Sequence, residues 1–158
     1  MNFRFLVPGK PKEDFLVSGI REYSKRLSKF GKVQIEYLPE ERLSPKPSQE
    51  EISRALAKEG ERALLRIKDQ EYLFLLDIHA KEISTPEFSS RLSQAMSRKG
   101  NLVFLFGSSY GLADALRKRS DFSFSLSPLT FTHYMAFLLT LEQVYRGCKI
   151  QHGEAYDK

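Results

Sequence analysis

Residues 102–112 read LVFLFGSSYGL, and residues 122–133 read FSFSLSPLTFTH. Each stretch begins as an apolar strand and ends in a loop of small or hydroxyl-bearing residues. The first run is apolar without alternation, which is typical of a strand buried on both faces of a parallel sheet. In an open α/β sheet such loops lie at the carboxyl ends of the strands, where ligands bind. The two loops are therefore the first candidates for a binding site.

Upstream of these residues, the chain alternates between strand and helix patterns. Strands are predicted at 2–7, 33–37 and 72–76 from apolar or alternating runs. Helices are predicted between them, and capping-box patterns at Ser48 and Ser84 mark the starts of two. Together with the two C-terminal strands, this gives β-α repeated five times. The order predicts an α/β fold in one domain, with a mainly parallel sheet and helices on both faces.

The helical patterns also predict which side chains face the core. In the first helix, from Pro11 to about Phe30, the inward positions are Phe15, Ile20, Tyr23 and Leu27. In the second they are Ile52, Leu56, Ala63 and Ile67, and charged residues including Glu59 form a solvated face. Ser127 or Thr130 could cap the last helix, or the stretch around them could bind a cofactor with an adenine ring and polar edges.

Composition limits the functional classes. The chain has 158 residues, a net charge of +5 and a pI near 9.3, which favours a polyanionic partner such as RNA. No apolar run approaches the roughly 20 residues that span a bilayer. Met1 leads directly into the strand-like NFRFLV, so we expect a cytoplasmic protein without a signal peptide or membrane partner. Cys148 is the single cysteine and the three histidines lack zinc-site spacing, so no disulfide or metal is expected.

Several motifs leave two interpretations open. The loop GSSYG at 107–111 either lets a ligand approach the backbone or forms a plain strand-to-helix turn. His133, near a helix start, is more often structural than catalytic. Glu142 and Arg146, four residues apart, form either a surface ion pair or a polar rim around a substrate. The basic run 117–119 either follows a phosphate backbone or is a solvated face.

A resemblance to a known family extends over the whole chain. The segments that carry it are LVFLFGSSYGL, SLSPLTFTH (125–133) and LEQVYRGCKIQHGEAYDK (141–158). They resemble the RlmH-type methyltransferases of the SPOUT superfamily. The resemblance implies an α/β fold whose C-terminal part, about residues 72–158, is threaded into a trefoil knot, a rare exception among folds. It also implies a homodimer with each active site built across the subunit interface.

The resemblance further implies the chemistry. The family uses S-adenosylmethionine to methylate N3 of a pseudouridine in 23S ribosomal RNA, so the implied partner is large-subunit ribosomal RNA or the assembled ribosome. Carried over residue by residue, the cofactor-binding positions are Leu76, Gly107, Leu126, Ser127, Pro128, Leu129, Thr130 and Phe131. The candidate catalytic residues, as substrate contacts, are Arg146, Tyr156 and Lys158. A valine at position 107 is expected to block cofactor binding while leaving the fold intact.

The chain departs from the family at some of these positions. Ser108 stands where the family has a second glycine, and Thr132 where it has proline. Phe137 replaces an arginine early in the last helix, and Asp157 replaces a histidine in the tail. That arginine and histidine are polar groups expected near the RNA. Two alternatives therefore stay open: a relative that binds cofactor or RNA with lost activity or a changed target, and a small-molecule enzyme that uses another nucleotide.

Overall fold

Strands and helices alternate strictly in the computed structural model of the protein, which describes residues 1–156. The strands are β1 (Asn2–Pro8), β2 (Lys32–Leu38), β3 (Tyr72–Leu76), β4 (Asn101–Phe106) and β5 (Phe122–Phe124). The helices are α1 (Asp14–Leu27), α2 (Gln49–Leu64), α3 (Thr85–Lys99), α4 (Asp114–Arg119) and α5 (His133–Gln151). The predicted β-α order is confirmed.

The five strands form one parallel sheet in the order β2-β1-β4-β3-β5. Strand β4 lies at its centre, and Phe104 is in register with Phe5 on one side and Phe74 on the other. The three rings stack with centroid distances of 5.0 and 4.9 Å. A strand with neighbours on both edges and helices on both faces needs apolar residues throughout, which explains the unbroken apolar runs.

Helices cover both faces of the sheet, as predicted. One face carries α1, α3 and α5, and its core is mainly aromatic, with Phe3, Phe5, Phe74, Phe104, Phe106 and Phe137 buried. The other carries α2 and α4 over aliphatic residues such as Leu73, Leu105 and Leu116. Helices α3 and α5 approach closely at Gly147, where an added Cβ would lie 2.7 Å from Leu92.

Short-range sequence patterns predicted where helices start more accurately than they predicted which side chains are buried. Capping boxes at Ser48 and Ser84 are both present, each with the serine side chain accepting from an amide three residues on. The predicted inward position of Phe15 is wrong, because this side chain is 65% exposed and Leu16 is buried instead. Leu16, Ile20 and Leu27 share one stripe at spacings of four and seven residues, and Phe15 lies about 100° away from it.

Three further expectations about helices are corrected. Helix α1 begins at Asp14, so Pro11 lies outside it, and α2 ends at Leu64, before Ile67. The residue before α5 is Thr132, which forms no capping side-chain bond within the described chain. Ser127 instead accepts from the backbone amide of Leu129, closing a turn in the loop ahead of the helix. Across residues 1–156, no helix combines the length and apolarity needed to cross a bilayer.

The order of the strands decides where the loops meet. Strands β4, β3 and β5 are neighbours and parallel, so the residues that follow Phe106, Leu76 and Phe124 lie at one edge of the sheet. These are the loops that carry the predicted cofactor positions. The sheet and its helices agree with the expected SPOUT architecture, while the trefoil knot itself stays a prediction.

Candidate functional site

A cleft of about 600 Å³ opens at the carboxyl edge of the sheet. Its walls are the ends of β3 and β4 with the loops that follow them, and the segment that leads into α5. The predicted cofactor positions that line this cleft are Leu76, Gly107, Thr130 and Phe131. The size is within the roughly 300–1,000 Å³ that is usual for small-molecule sites.

A second cavity of about 260 Å³ adjoins the cleft, since Phe131 borders both. The predicted positions Leu126 and Ser127 line this smaller cavity, together with Ser84 at the start of α3. Pro128 and Leu129 line neither space, and Leu129 is 73% exposed. The fold therefore gathers most, though not all, of the predicted cofactor positions around two neighbouring spaces.

The loop after β4 forms one wall of the cleft and is closed on itself. Ser108 and Gly111 exchange backbone hydrogen bonds of 3.1 and 3.0 Å. Gly111 has a φ of 113°, a region that side chains rarely adopt. A Cβ on Gly107 would lie 2.8 Å from the Gly111 carbonyl oxygen and 3.1 Å from Leu112. Valine at position 107 would therefore distort the loop itself, which corrects the expectation that it leaves the fold intact.

A buried carboxylate lies in the cleft wall at the end of β3. Asp77 is 5% exposed and accepts hydrogen bonds from Arg117 Nε at 2.7 Å and from the His79 amide at 3.0 Å. Burial alone would raise the pKa of Asp77, but these bonds and the positive charge of Arg117 hold it below its ordinary value. Sequence reasoning gave Asp77 no role, although an acid directly after a fully buried strand needs a partner.

A second acidic residue lies behind the glycine loop. Glu59 of α2 is half-buried rather than solvated and borders a small cavity together with Gly107 and Ser108. Burial and the negative charge of Glu40 raise the pKa of Glu59 to about 7, and the Ser108 hydroxyl opposes the rise. Within residues 1–156, that buried hydroxyl has no hydrogen bond of normal geometry. The helical pattern of α2 did not predict that Glu59 lies near Ser108, because the loop that covers Glu59 follows β4, far away in the sequence.

His133 has structural contacts at the start of α5. Its Nε2 lies 3.0 Å from the Pro8 carbonyl oxygen and 3.4 Å from a Glu40 carboxylate oxygen. The ring also borders the cleft. The contacts join α5 to the end of β1, as the structural interpretation of this histidine anticipates. Over residues 1–156, no group of three or more His, Cys, Asp and Glu side chains is placed to hold a metal ion.

The predicted substrate contacts form a separate cluster near the end of α5. Arg146 bonds to Glu142 at 2.7 Å and lies over the Tyr156 ring, 4.6 Å from its centroid. The Tyr156 hydroxyl donates to the same glutamate at 3.2 Å. Burial, hydrogen bonds with Tyr23 and Glu142, and the charge of Glu142 raise the pKa of Tyr156. Lys158 lies outside the described residues.

One chain does not bring this cluster to the cleft. Ala136 lines the cleft, and Arg146 is ten residues further along the same helix. At 1.5 Å per residue, the two positions are separated by ~15 Å along the helix axis. The second cavity comes nearer to the cluster, because Gln143 lines it and donates to Glu142 at 2.8 Å. In a single copy of the chain, the substrate cluster therefore lies closer to the second cavity than to the larger cleft.

Known proteins resemble this chain along its whole length. Residues 1–157 match the family described as "Predicted SPOUT methyltransferase". The chain is 41% identical to the Ribosomal RNA large subunit methyltransferase H of Enterococcus faecalis and 42% identical to that of Pediococcus pentosaceus, with all of each chain covered.

A solved structure shares the fold at low sequence identity. It is a Ribosomal RNA small subunit methyltransferase E from Neisseria gonorrhoeae bound to S-adenosyl methionine. The TM-score is 0.54 at 13% identity, and the match covers 92% of this chain and 66% of the other. Fold, full-length family match and full-length relatives agree. The chain belongs to the SPOUT methyltransferase family.

Proposed function

We propose that the protein transfers a methyl group from S-adenosylmethionine to N3 of a pseudouridine in 23S ribosomal RNA. The observation that carries the proposal is the cleft of about 600 Å³, because six of the eight predicted cofactor positions, from three separate loops, border it or the cavity beside it. Full-length relatives named as large-subunit ribosomal RNA methyltransferases support the substrate class. A ribosomal substrate would place the activity in the cytoplasm.

The residues around the cleft fit this cofactor. Leu76, Phe106 and Phe131 offer an apolar surface for a purine ring, and Thr130 adds a hydroxyl group at the rim. S-adenosylmethionine supplies a methyl group already activated by its sulfonium sulfur. The chain's main task is then to align the acceptor nitrogen with that methyl group.

The cluster on α5 suits the acceptor side of the reaction. The pseudouridine N3–H lies between two carbonyl groups, and its loss leaves an anion that positive charge or hydrogen-bond donors stabilise. Arg146 supplies positive charge in a fixed position, held by Glu142. Tyr156 donates its phenol proton to Glu142 and so helps to hold the carboxylate that positions Arg146. Lys158 adds a second cation in the tail.

A homodimer would join the two sites. Arg146 lies ~15 Å along α5 from Ala136, the last residue of this helix that lines the cleft. A second copy that places its α5 end and tail over the cleft would complete the site. The exposed apolar residues Leu129 and Phe131 beside the cleft suit such an interface, since exposed apolar side chains next to a site often mark contact surfaces.

The transfer assay uses tritiated S-adenosylmethionine and ribosomes from a strain that lacks this gene. We expect label in 23S ribosomal RNA at one pseudouridine, with the methyl group located at N3 by mass spectrometry of nuclease fragments. Ribosomes from the parent strain, already modified, are the matched control and should accept little label. Label at a uridine or on a carbon atom would contradict the proposed acceptor.

A changed target is the second candidate function. Phe137 is fully buried between Phe5 and Phe106, with ring centroids at 5.7 and 5.2 Å, so it offers no polar group where the family has an arginine. This observation favours a changed RNA-binding surface together with an unchanged cofactor-binding site. Cofactor binding by calorimetry without transfer to ribosomes would support this candidate over the first.

A further inference from the structure

One arginine joins two walls of the cleft. Arg117, in α4, donates from Nε to Asp77 at 2.7 Å and from Nη1 to the Leu112 carbonyl oxygen at 3.2 Å. Asp77 belongs to the wall after β3, and Leu112 to the end of the glycine loop after β4. A further bond reaches Asp114, whose side chain is 87% exposed and contributes little. The guanidinium group thus bridges two loops that are otherwise separate in sequence.

On its β3 side, the bridge is continuous with backbone hydrogen bonds. The second carboxylate oxygen of Asp77 accepts from the His79 amide, and the Asp77 amide donates to the Phe124 carbonyl oxygen at 2.9 Å. The side chain of Asp77 is 6% exposed, so a solvent molecule cannot readily replace Arg117 as its partner. Removal of the arginine would leave a buried charge unpaired and free the loop end at Leu112.

We propose that Arg117 is a positioning residue that fixes the glycine loop relative to the end of β3 and so sets the width of the cofactor cleft. The inference rests on the proposed function, because it concerns the site assigned to S-adenosylmethionine. It also assigns Arg117, a member of the basic run 117–119, to contacts within the chain instead of contact with an RNA backbone. Arg117 acts through the two loops and is not assigned a contact with the reacting atoms.

The test compares Arg117→Gln, Arg117→Lys and the wild-type chain. Calorimetry measures Kd for S-adenosylmethionine and for S-adenosylhomocysteine, at a temperature well below the unfolding transition of each variant. We expect Arg117→Gln to weaken both ligands by the same factor, roughly tenfold, because misplaced loops affect the shared part of the ligands. Arg117→Lys keeps the positive charge beside Asp77 but lacks the forked guanidinium group. We expect its loss of cofactor affinity to be smaller than that of Arg117→Gln.

Arg119 provides a matched control on the same helix. It bonds to Asp121 at 3.1 Å and to the carbonyl oxygens of Lys68 and Glu71 at 3.0 and 3.1 Å, all away from the cleft. Arg119→Gln should therefore lower the thermal midpoint while cofactor Kd stays within about twofold of wild type. An equal loss of affinity in the two glutamine variants would show that general destabilisation is responsible and would overturn the proposal.

Other outcomes are equally decisive. Unchanged Kd in a folded Arg117→Gln variant would refute the positioning role and leave the proposed function intact. Unequal losses for S-adenosylmethionine and S-adenosylhomocysteine would show that Arg117 acts on the sulfonium centre, where the two ligands differ, and would overturn the positioning role. If the wild-type chain binds neither ligand, the proposed function and this inference fail together.

Discussion

Among single residues, Glu59 has an environment that its helical neighbours do not predict. Its carboxyl group is half-buried behind the glycine loop near Glu40, and its pKa is raised to about 7 from 4.5. The folded state then binds a proton that the unfolded state has already released between these two pH values. Stability therefore falls as the pH rises from about 4.5 to about 7, and the loss remains at higher pH.

We predict that Glu59→Gln is more stable than wild type at pH 8 by about 1 kcal/mol, since solvent partly screens a half-exposed group. The difference should shrink to near zero at pH 4, where the wild-type acid is protonated in both states. Urea unfolding at the two pH values measures it. Glu61→Gln, at an exposed position of the same helix, is the control. A constant difference across pH would contradict the burial of Glu59.

Tyr156 gives a second prediction for a single residue. In Tyr156→Phe, the ring can still lie under Arg146, but the hydrogen bond to Glu142 is lost. Because Glu142, which positions Arg146, loses this bond, we expect turnover to fall on the order of tenfold or more while cofactor Kd is unchanged. Single-turnover kinetics at saturating cofactor measure the effect. Full activity of this variant would remove Tyr156 from the proposed substrate contacts.

At the scale of elements, helix starts depend on residues close in sequence. Ser48 accepts from the Glu51 amide while Glu51 bonds back to the Ser48 amide, so α2 has a complete capping box. Helix α5 has no side-chain cap from Thr132 among the described residues and is instead held by burial of its length against the sheet. A cap should therefore matter more to α2, whose exposed face has fewer tertiary contacts.

We predict that Ser48→Ala lowers the free energy of unfolding by about 1 kcal/mol, because one capping bond and its reciprocal partner are lost. Chemical denaturation measures the change, and cofactor Kd should remain as in wild type, since Ser48 does not border the cleft. Ser53→Ala, at an exposed position inside the same helix, should be neutral or slightly stabilising. Equal effects at the two positions would show that the box contributes nothing.

At the scale of the whole molecule, the proposed homodimer, in which the tail of one copy covers the cleft of the other, predicts complementation between chains. One variant, Thr130→Trp, fills the cleft, and a second lacks residues 153–158. Mixed dimers would carry one intact site built from the cleft of the truncated chain and the tail of the other. A 1:1 co-refolded mixture should regain about a quarter of wild-type activity, because half of the dimers are mixed and each has one of two sites intact.

Each variant alone should be inactive, and these homodimers are the controls for the complementation experiment. Tags of different mass on the two chains would establish that mixed dimers form. Mixed dimers without recovered activity would rule out the composite site. Sedimentation of the wild-type chain as a monomer at micromolar concentration would rule out the dimer itself.

Periodicity and short-range motifs allowed much of the fold to be predicted from the sequence. The apolar runs of β3 and β4, the alternation of strands with helices and the two capping boxes depend on residues within a few positions of each other. These signals predicted the sheet class and both helix starts. They failed at Phe15, where a one-residue shift of the helical stripe exchanged an exposed side chain for the buried Leu16.

The sequence by itself determined the strand and helix order, the family and the loops that would carry the cofactor positions, because each is encoded in contiguous residues. Only the tertiary structure decided that Glu59 is half-buried and that Asp77 meets Arg117, 40 residues later. It also placed Ala136 of α5 in the wall of the cleft and Gln143 of the same helix in the wall of the second cavity. These features depend on how distant segments pack across a parallel sheet, and such contacts leave no local pattern in the chain.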